Sequence, residues 1–202
     1  MARSRWSRPA PSDADPASEG PAGPGWDPAA QDPAAAQDRA RQVCLDQLEY
    51  APRTRAELAE ALRHKGIDPA AAEAVLCRFT EVGLIDDAAF AERWVASRHR
   101  SRGLAGRALS QELRRKGIDE DTVREVVGGL DPETELQTAR ALVERKLRTT
   151  TGLSPEVRVR RLAGMLARKG YPAGLAYQVV REALAADGVE LMLDTDGASA
   201  LD

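Results

Sequence analysis

Apolar residues recur at helical spacing through positions 39–186, and three stretches of that pattern align with one another. The stretches are LAEALRHKGID from Leu58, LSQELRRKGID from Leu109 and LAGMLARKGYP from Leu162. In each, two leucines stand four apart (Leu58 and Leu62, Leu109 and Leu113, Leu162 and Leu166), which places them on one face of a helix. Each stretch then reaches a Lys-Gly step, at Lys65-Gly66, Lys116-Gly117 and Lys169-Gly170. Ten residues beyond each lysine lies a valine (Val75, Val126, Val179), followed by Leu76, Val127 and Val180. The lysines are 51 and 53 residues apart, and a period near 50 in a helical pattern predicts tandem helical modules.

The polar residues between these stripes mark where helices end. A cation in the last turn followed by Gly suits a helix C-terminus, with Gly in the left-handed position and Ile67 or Ile118 folded back on the helix end. Asp68 and Asp119 are placed to cap the next helix, and Pro69 suits its first position. Thr54-Arg-Ala-Glu57 has the capping-box pattern, and Asp131-Pro132-Glu133 and Ser154-Pro155-Glu156 are further start signals. Together they predict an all-α protein of nine helices, near 39–50, 54–65, 69–81, 87–101, 105–116, 119–129, 132–149, 154–169 and 173–185. Three tandem three-helix repeats, 39–85, 86–131 and 132–186, are expected to form an elongated, curved body, since a module of this size buries little alone.

The flanks follow no such pattern. Residues 1–38 hold seven of the twelve prolines and no apolar period, and are expected to be a disordered Pro/Ala-rich tail. Residues 187–202 are expected to be an acidic tail, with Gly188–Leu193 able to extend the last helix weakly. The net charge of −3 conceals a segregation: residues 39–184 hold 26 basic and 21 acidic residues, a net of +5. A basic body between acidic ends points to an anionic partner.

Candidate chemistry is sparse. There is no Gly-rich phosphate loop, nucleophile elbow or paired-histidine metal motif. Cys44 and Cys77 fall in apolar helical patterns and read as reduced core residues, and His64 and His99 offer no zinc spacing. Asp86-Asp87 reads as a helix stop and cap rather than as a catalytic pair. No catalysis, metal or cofactor is expected. No apolar run is long enough to span a membrane, and no secretory signal begins the chain, so a cytoplasmic protein is expected.

What stands out is positive charge. From Arg93 to Lys116 the chain places Arg93, Arg98, Arg100, Arg102, Arg107, Arg114, Arg115 and Lys116 against Glu112 alone. A second run, which includes Arg145, Lys146, Arg158, Arg160, Arg161, Arg168 and Lys169, has nine cations against Glu144 and Glu156. From Arg39 to Asp87 the chain holds seven Lys or Arg against nine acids, a net of −2. These fifteen named residues are the candidate surface toward a polyanion or an acidic protein. Trp94 shares an apolar stripe with Phe90, Ala91 and Val95 and reads as packing rather than as a base-stacking platform.

The segment from Gly83 to Asp119 resembles the RecX family of RecA regulators. The matching positions are Gly83, Leu84, Ile85, Asp86, Asp87, Phe90, Ala91, Trp94, Arg98, Arg102, Gly103, Leu109, Leu113, Lys116, Gly117 and Ile118. The flanking repeats widen the resemblance to about 39–186. It implies tandem three-helix repeats and a regulator that binds the RecA filament on single-stranded DNA. It also implies restraint of RecA's ATPase, strand-exchange and coprotease activities in DNA repair; the two basic runs, on a chain expected to be a monomer, are expected to touch acidic RecA surface and phosphates of single- or double-stranded DNA. Gly170-Tyr171-Pro172 departs from the Gly-Ile-Asp of the other modules, so that turn is expected to differ. A helix-turn-helix DNA-binding protein and a generic helical-repeat adaptor are the alternatives.

Overall fold

A computed structural model describes residues 32–188, and the expectations for both tails lie mostly outside this range. Among the described residues there are nine helices: α1 Pro33–Tyr50, α2 Arg55–His64, α3 Pro69–Glu81, α4 Asp87–Arg102, α5 Gly106–Arg115, α6 Glu120–Gly128, α7 Pro132–Leu147, α8 Pro155–Arg168 and α9 Ala173–Ala186. In each module the third helix packs on the other two, and each module has its own apolar cluster. The repeated leucine pairs are all buried, as are Val75, Leu76, Val179 and Val180, whereas Val126 and Val127 are half-buried and Val123 takes the buried place in module two. None of these helices is long and apolar enough to cross a membrane.

The expected punctuation is present in atomic detail. Thr54 accepts from the Glu57 amide while Glu57 accepts from the Thr54 amide. Asp68, Asp86, Asp119 and Asp131 cap α3, α4, α6 and α7. Gly66, Gly117 and Gly170 follow the lysines at φ of 66°, 76° and 92°. The amide two beyond each lysine (Ile67, Ile118, Tyr171) donates to the carbonyl of Leu62, Leu113 or Leu166, the six-to-one bond of a Schellman end.

Two expectations are corrected. Helix α1 starts at Pro33, well before 39, because Ala36, Ala40 and Cys44 fall at i, i+4 and i+8 and are buried together. Cys77 is exposed, not core: Val75, Leu76 and Phe79 turn inward from α3, and Cys77 on the outer side donates to Glu73 at 3.3 Å.

Successive modules join by one repeated arrangement. The Lys-Gly turn of a module seats on the first turn of the second helix of the module before it. Thr54 Oγ1 donates to the Lys116 carbonyl at 2.7 Å, and the Ala105 amide donates to the Lys169 carbonyl at 2.8 Å. A carboxylate from the incoming module takes the next amide: Asp87 accepts from Arg55 N–H at 2.9 Å, and Glu135 accepts from Gly106 N–H at 2.7 Å. These are unpaired amides of a helix start, satisfied here from outside the module. Burial pushes the Asp87 carboxyl up, and the amide it accepts from opposes that shift. The glycine lets the backbones close: a β-carbon at Gly117 would overlap Ala56, and one at Gly170 would lie 2.5 Å from the Ala108 amide nitrogen.

Candidate interaction surface

The structure sorts the fifteen candidate cations by what surrounds them. Arg93, Arg100, Arg102, Arg107, Arg115, Arg145, Lys146, Arg160, Arg161 and Arg168 are exposed, and none has an acidic partner within salt-bridge reach among the described residues. Arg93 and Arg100 sit seven apart on α4, clear of Phe90, Ala91 and Val95, which are buried. Arg161 and Arg168 repeat that spacing on α8.

Four others are engaged within the fold. Arg98 lies over the Trp94 ring at 4.0 Å and pairs with Glu112 at 3.4 Å. Lys116 lies on the same ring at 4.2 Å, reaches the Phe90 ring at 5.2 Å and bonds Glu57 at 2.7 Å. Trp94 thus packs against Phe90 and donates its indole N–H to Glu112 at 2.9 Å, the packing role expected of it. Arg114 makes a two-pronged pair with Glu120, both bonds at 2.7 Å. Arg158 is only 5% exposed and pairs with Asp187, with Thr150 beside it. A buried guanidinium with its own carboxylate belongs to the internal structure of module three, not to an outward face.

The fifteenth, Lys169, is half-buried where modules two and three meet. Its ammonium donates to the carbonyl of Arg102 at the end of α4. Burial, and then the positive charges of Arg145 and Arg102, hold its ammonium below the ordinary lysine range. On the same junction Tyr171 donates its hydroxyl to the Gly103 carbonyl at 3.2 Å, and its pKa is pushed up to about 12 by burial first and then by Glu135. This is how the Gly-Tyr-Pro turn departs from the others: the tyrosine replaces an inward isoleucine with a ring that reaches across to the neighbouring module. His99 bridges the same junction, its Nδ1 donating to the Leu104 carbonyl at 2.8 Å and its Nε2 standing 3.0 Å from Thr138 Oγ1.

Sequence reasoning passed over Arg53. It lines the cleft between modules one and two with His64, Arg114, Arg115 and Lys116, and its Nε is buried without a hydrogen-bond partner among the described residues. A single arginine in a loop outside both basic runs gave no charge signal; only the fold brings it beside Arg115.

Comparison with known proteins bears on what this arrangement is. Models of the first, second and third three-helix domains of RecX match residues 40–79, 86–127 and 133–180. The chain belongs to the RecX family. The protein named Regulatory protein RecX from Thermobifida fusca is 62% identical over 153 residues, covering 76% of this chain and 83% of the relative. Its namesake from Streptomyces coelicolor is 58% identical over 151 residues, covering 75% and 80%. The crystal structure of RecX from Lactobacillus salivarius superposes with a TM-score of 0.69 at 19% identity, covering 74% of this chain and 97% of that one. A second crystal structure of a regulatory protein RecX gives 0.68 at 24%, covering 74% and 73%. These two likenesses speak to the fold alone; the sequence relatives make this RecX chain a member of a regulatory protein family.

Proposed function

We propose that this RecX family member regulates RecA by binding its nucleoprotein filament in the cytoplasm, acting through association rather than catalysis, as a monomer. The observation that carries the reading is the set of ten exposed cations on modules two and three without acidic partners among the described residues. Like charges held at close quarters repel one another, and a polyanionic or acidic surface relieves that repulsion. The proposed face is narrower than the basic runs suggest. Arg98, Lys116 and Arg158 support the fold, Arg114 is half-neutralised by Glu120, and the exposed ten make the contact.

The helix-turn-helix alternative loses ground on charge. Helix α6 follows the Lys116-Gly-Ile-Asp119 turn, where a recognition helix would stand. Its first turn carries Glu120 and Asp121, which duplex phosphates would repel. The generic adaptor would bind through apolar contact with little dependence on salt.

The test is RecA's hydrolysis of ATP on single-stranded DNA, titrated with this protein well below the RecA concentration. Strong inhibition at those ratios is expected, and no effect overturns the reading. Reversing charge at Arg93 and Arg100 together (R93E/R100E) is expected to weaken filament binding by roughly tenfold or more while helicity by circular dichroism stays unchanged. Undiminished binding by that variant would remove the α4 face from the contact.

A further inference from the structure

Each module ends its second helix in a Lys-Gly turn. Two of these turns seat on the preceding module, and the turn of module one has no module before it. Its sequence, Lys65-Gly66-Ile67-Asp68, is the same as Lys116-Gly117-Ile118-Asp119. The backbones agree as well. Lys65 has φ −84° and ψ 0° against −86° and 1° at Lys116, and the glycines stand at φ 66° and 76°. Asp68 and Asp119 each cap the helix that follows. What differs is the company. Lys116 is half-buried and Ile118 buried, whereas Lys65 is exposed and Ile67 half-buried. Lys65 makes no ion pair or side-chain hydrogen bond among the described residues, and nothing lies within 4 Å of where a β-carbon on Gly66 would stand.

The seat of the Lys116 turn shows what an identical turn fits. It is a helix start with the capping box Thr54-Arg-Ala-Glu57. Thr54 Oγ1 donates to the Lys116 carbonyl at 2.7 Å, Ala56 leaves room only for a glycine, and Glu57 takes the Lys116 ammonium at 2.7 Å. One short stretch thus satisfies an unpaired carbonyl of the helix end and neutralises its cation. A second copy of the chain offers no such seat on its second helices. Thr54 is taken by Lys116, Ala105 by Lys169, and the matching position in module three is Arg158, buried with Asp187 and Thr150. Nucleic acid is a poor match for this end of the molecule, since residues 39–87 carry a net charge of −2.

We propose that the Lys65-Gly66 turn docks on a helix start of RecA with the chemistry of its sister's seat: Ser or Thr at the cap, a small residue at the second position and Glu at the third. The inference rests on the filament reading and adds to it a protein-facing contact on module one, apart from the cations of modules two and three.

The test is binding of the full chain to RecA filaments on single-stranded DNA, for wild type, G66N, K65M and G152N. Asparagine tolerates the left-handed conformation, so G66N keeps the helix end while filling the space a seat would need. Gly152, at φ 88° with nothing within 4 Å, takes the same substitution away from any Lys-Gly turn. G66N and K65M are each expected to bind filaments about tenfold more weakly, on the scale of overpacking and of a lost charge-assisted bond, and G152N to bind like wild type. The G66N deficit is steric and should persist as salt rises, whereas that of R93E/R100E should shrink. Binding of an oligothymidylate without RecA should be the same for G66N and wild type.

Wild-type binding by G66N and K65M, with R93E/R100E still weakened, overturns the docking turn and leaves the filament reading standing. Equal weakening of G66N toward the oligothymidylate and toward the filament also overturns it, since the turn would then touch nucleic acid. A wild-type chain that does not bind the filament overturns both.

Discussion

The junction of modules one and two and the junction of modules two and three are built on one plan, yet their lysines stand in opposite surroundings. Both seat a Lys-Gly turn on a helix start, and both satisfy a helix-start amide with a carboxylate from the next module. At the first, Lys116 is neutralised by Glu57 and covered by Phe90 and Trp94. At the second, Lys169 has no acidic partner among the described residues and donates to the Arg102 carbonyl, and cohesion comes instead from Tyr171, His99 and the burial of Ala105 in the cluster of module three. The backbone plan carries the architecture, while the side chains let one junction close on itself and leave the other with positive charge to share.

If the shared backbone plan holds the modules together, its glycines are where the comparison breaks most sharply. Gly170→Ala places a methyl 2.5 Å from the Ala108 amide nitrogen at a φ of 92°, and Gly117→Ala drives one into Ala56 at 76°. Each is expected to cost about 3 kcal/mol, from left-handed strain plus overpacking. Gly66→Ala is the control: it has the same backbone conformation, at φ 66°, with nothing within 4 Å. It should cost about 1 kcal/mol, the strain alone. Urea unfolding followed by circular dichroism gives all three. Equal losses at the three sites would mean that the junctions contribute nothing to closure.

The next effect tests the neutralised junction. Glu57→Gln removes the partner of a Lys116 side chain that is only 20% exposed, and loosens the capping box at Thr54. A loss of about 2 kcal/mol is expected, and a double-mutant cycle with Lys116→Met should recover part of it, since no cation is then left unpaired. Additive losses in that cycle would show that the ion pair adds no coupling.

How much of this was legible depended on whether the cause lay nearby in the chain. Caps at Asp68, Asp119 and Asp131, the Lys-Gly ends and the leucine stripes follow from residues within a turn or two of each other, and each was readable from the sequence. The start of α1 was hidden because its inward face is made of Ala36 and Ala40, small residues in a stretch that otherwise reads as Pro/Ala-rich tail. Arg158 was misjudged by counting charge alone. It stands four residues before Leu162, the register of Thr54 and Ala105, which are buried as well, so the repeat itself places this position inward. Its partner Asp187 lies 29 residues further on. Asp87 and Glu135 are the same kind of case: each caps a helix of a different module, and no local pattern announces that.

At the open junction, Tyr171→Phe removes one buried hydrogen bond to the Gly103 carbonyl while keeping the ring. The expected loss is about 1 kcal/mol by urea unfolding. A neutral result would assign the seating of the turn to the ring and to the Ala105–Lys169 backbone bond, with the hydroxyl contributing nothing.

The smallest expected effect is the one that separates the two junctions most cleanly, because its sign matters more than its size. Arg145→Gln removes an exposed cation whose charge bears unfavourably on Lys169. Relief of like-charge repulsion should leave the chain as stable as wild type or more stable by about 0.3 kcal/mol, and the difference should shrink as salt rises. Removing a charge at the neutralised junction has the opposite consequence, since Glu57→Gln leaves a cation unpaired. The pair of substitutions therefore reads the electrostatic balance of the two junctions directly in one unfolding assay. Destabilisation by Arg145→Gln would mean that Arg145 has an internal role and that the positive charge at the second junction is balanced within the fold.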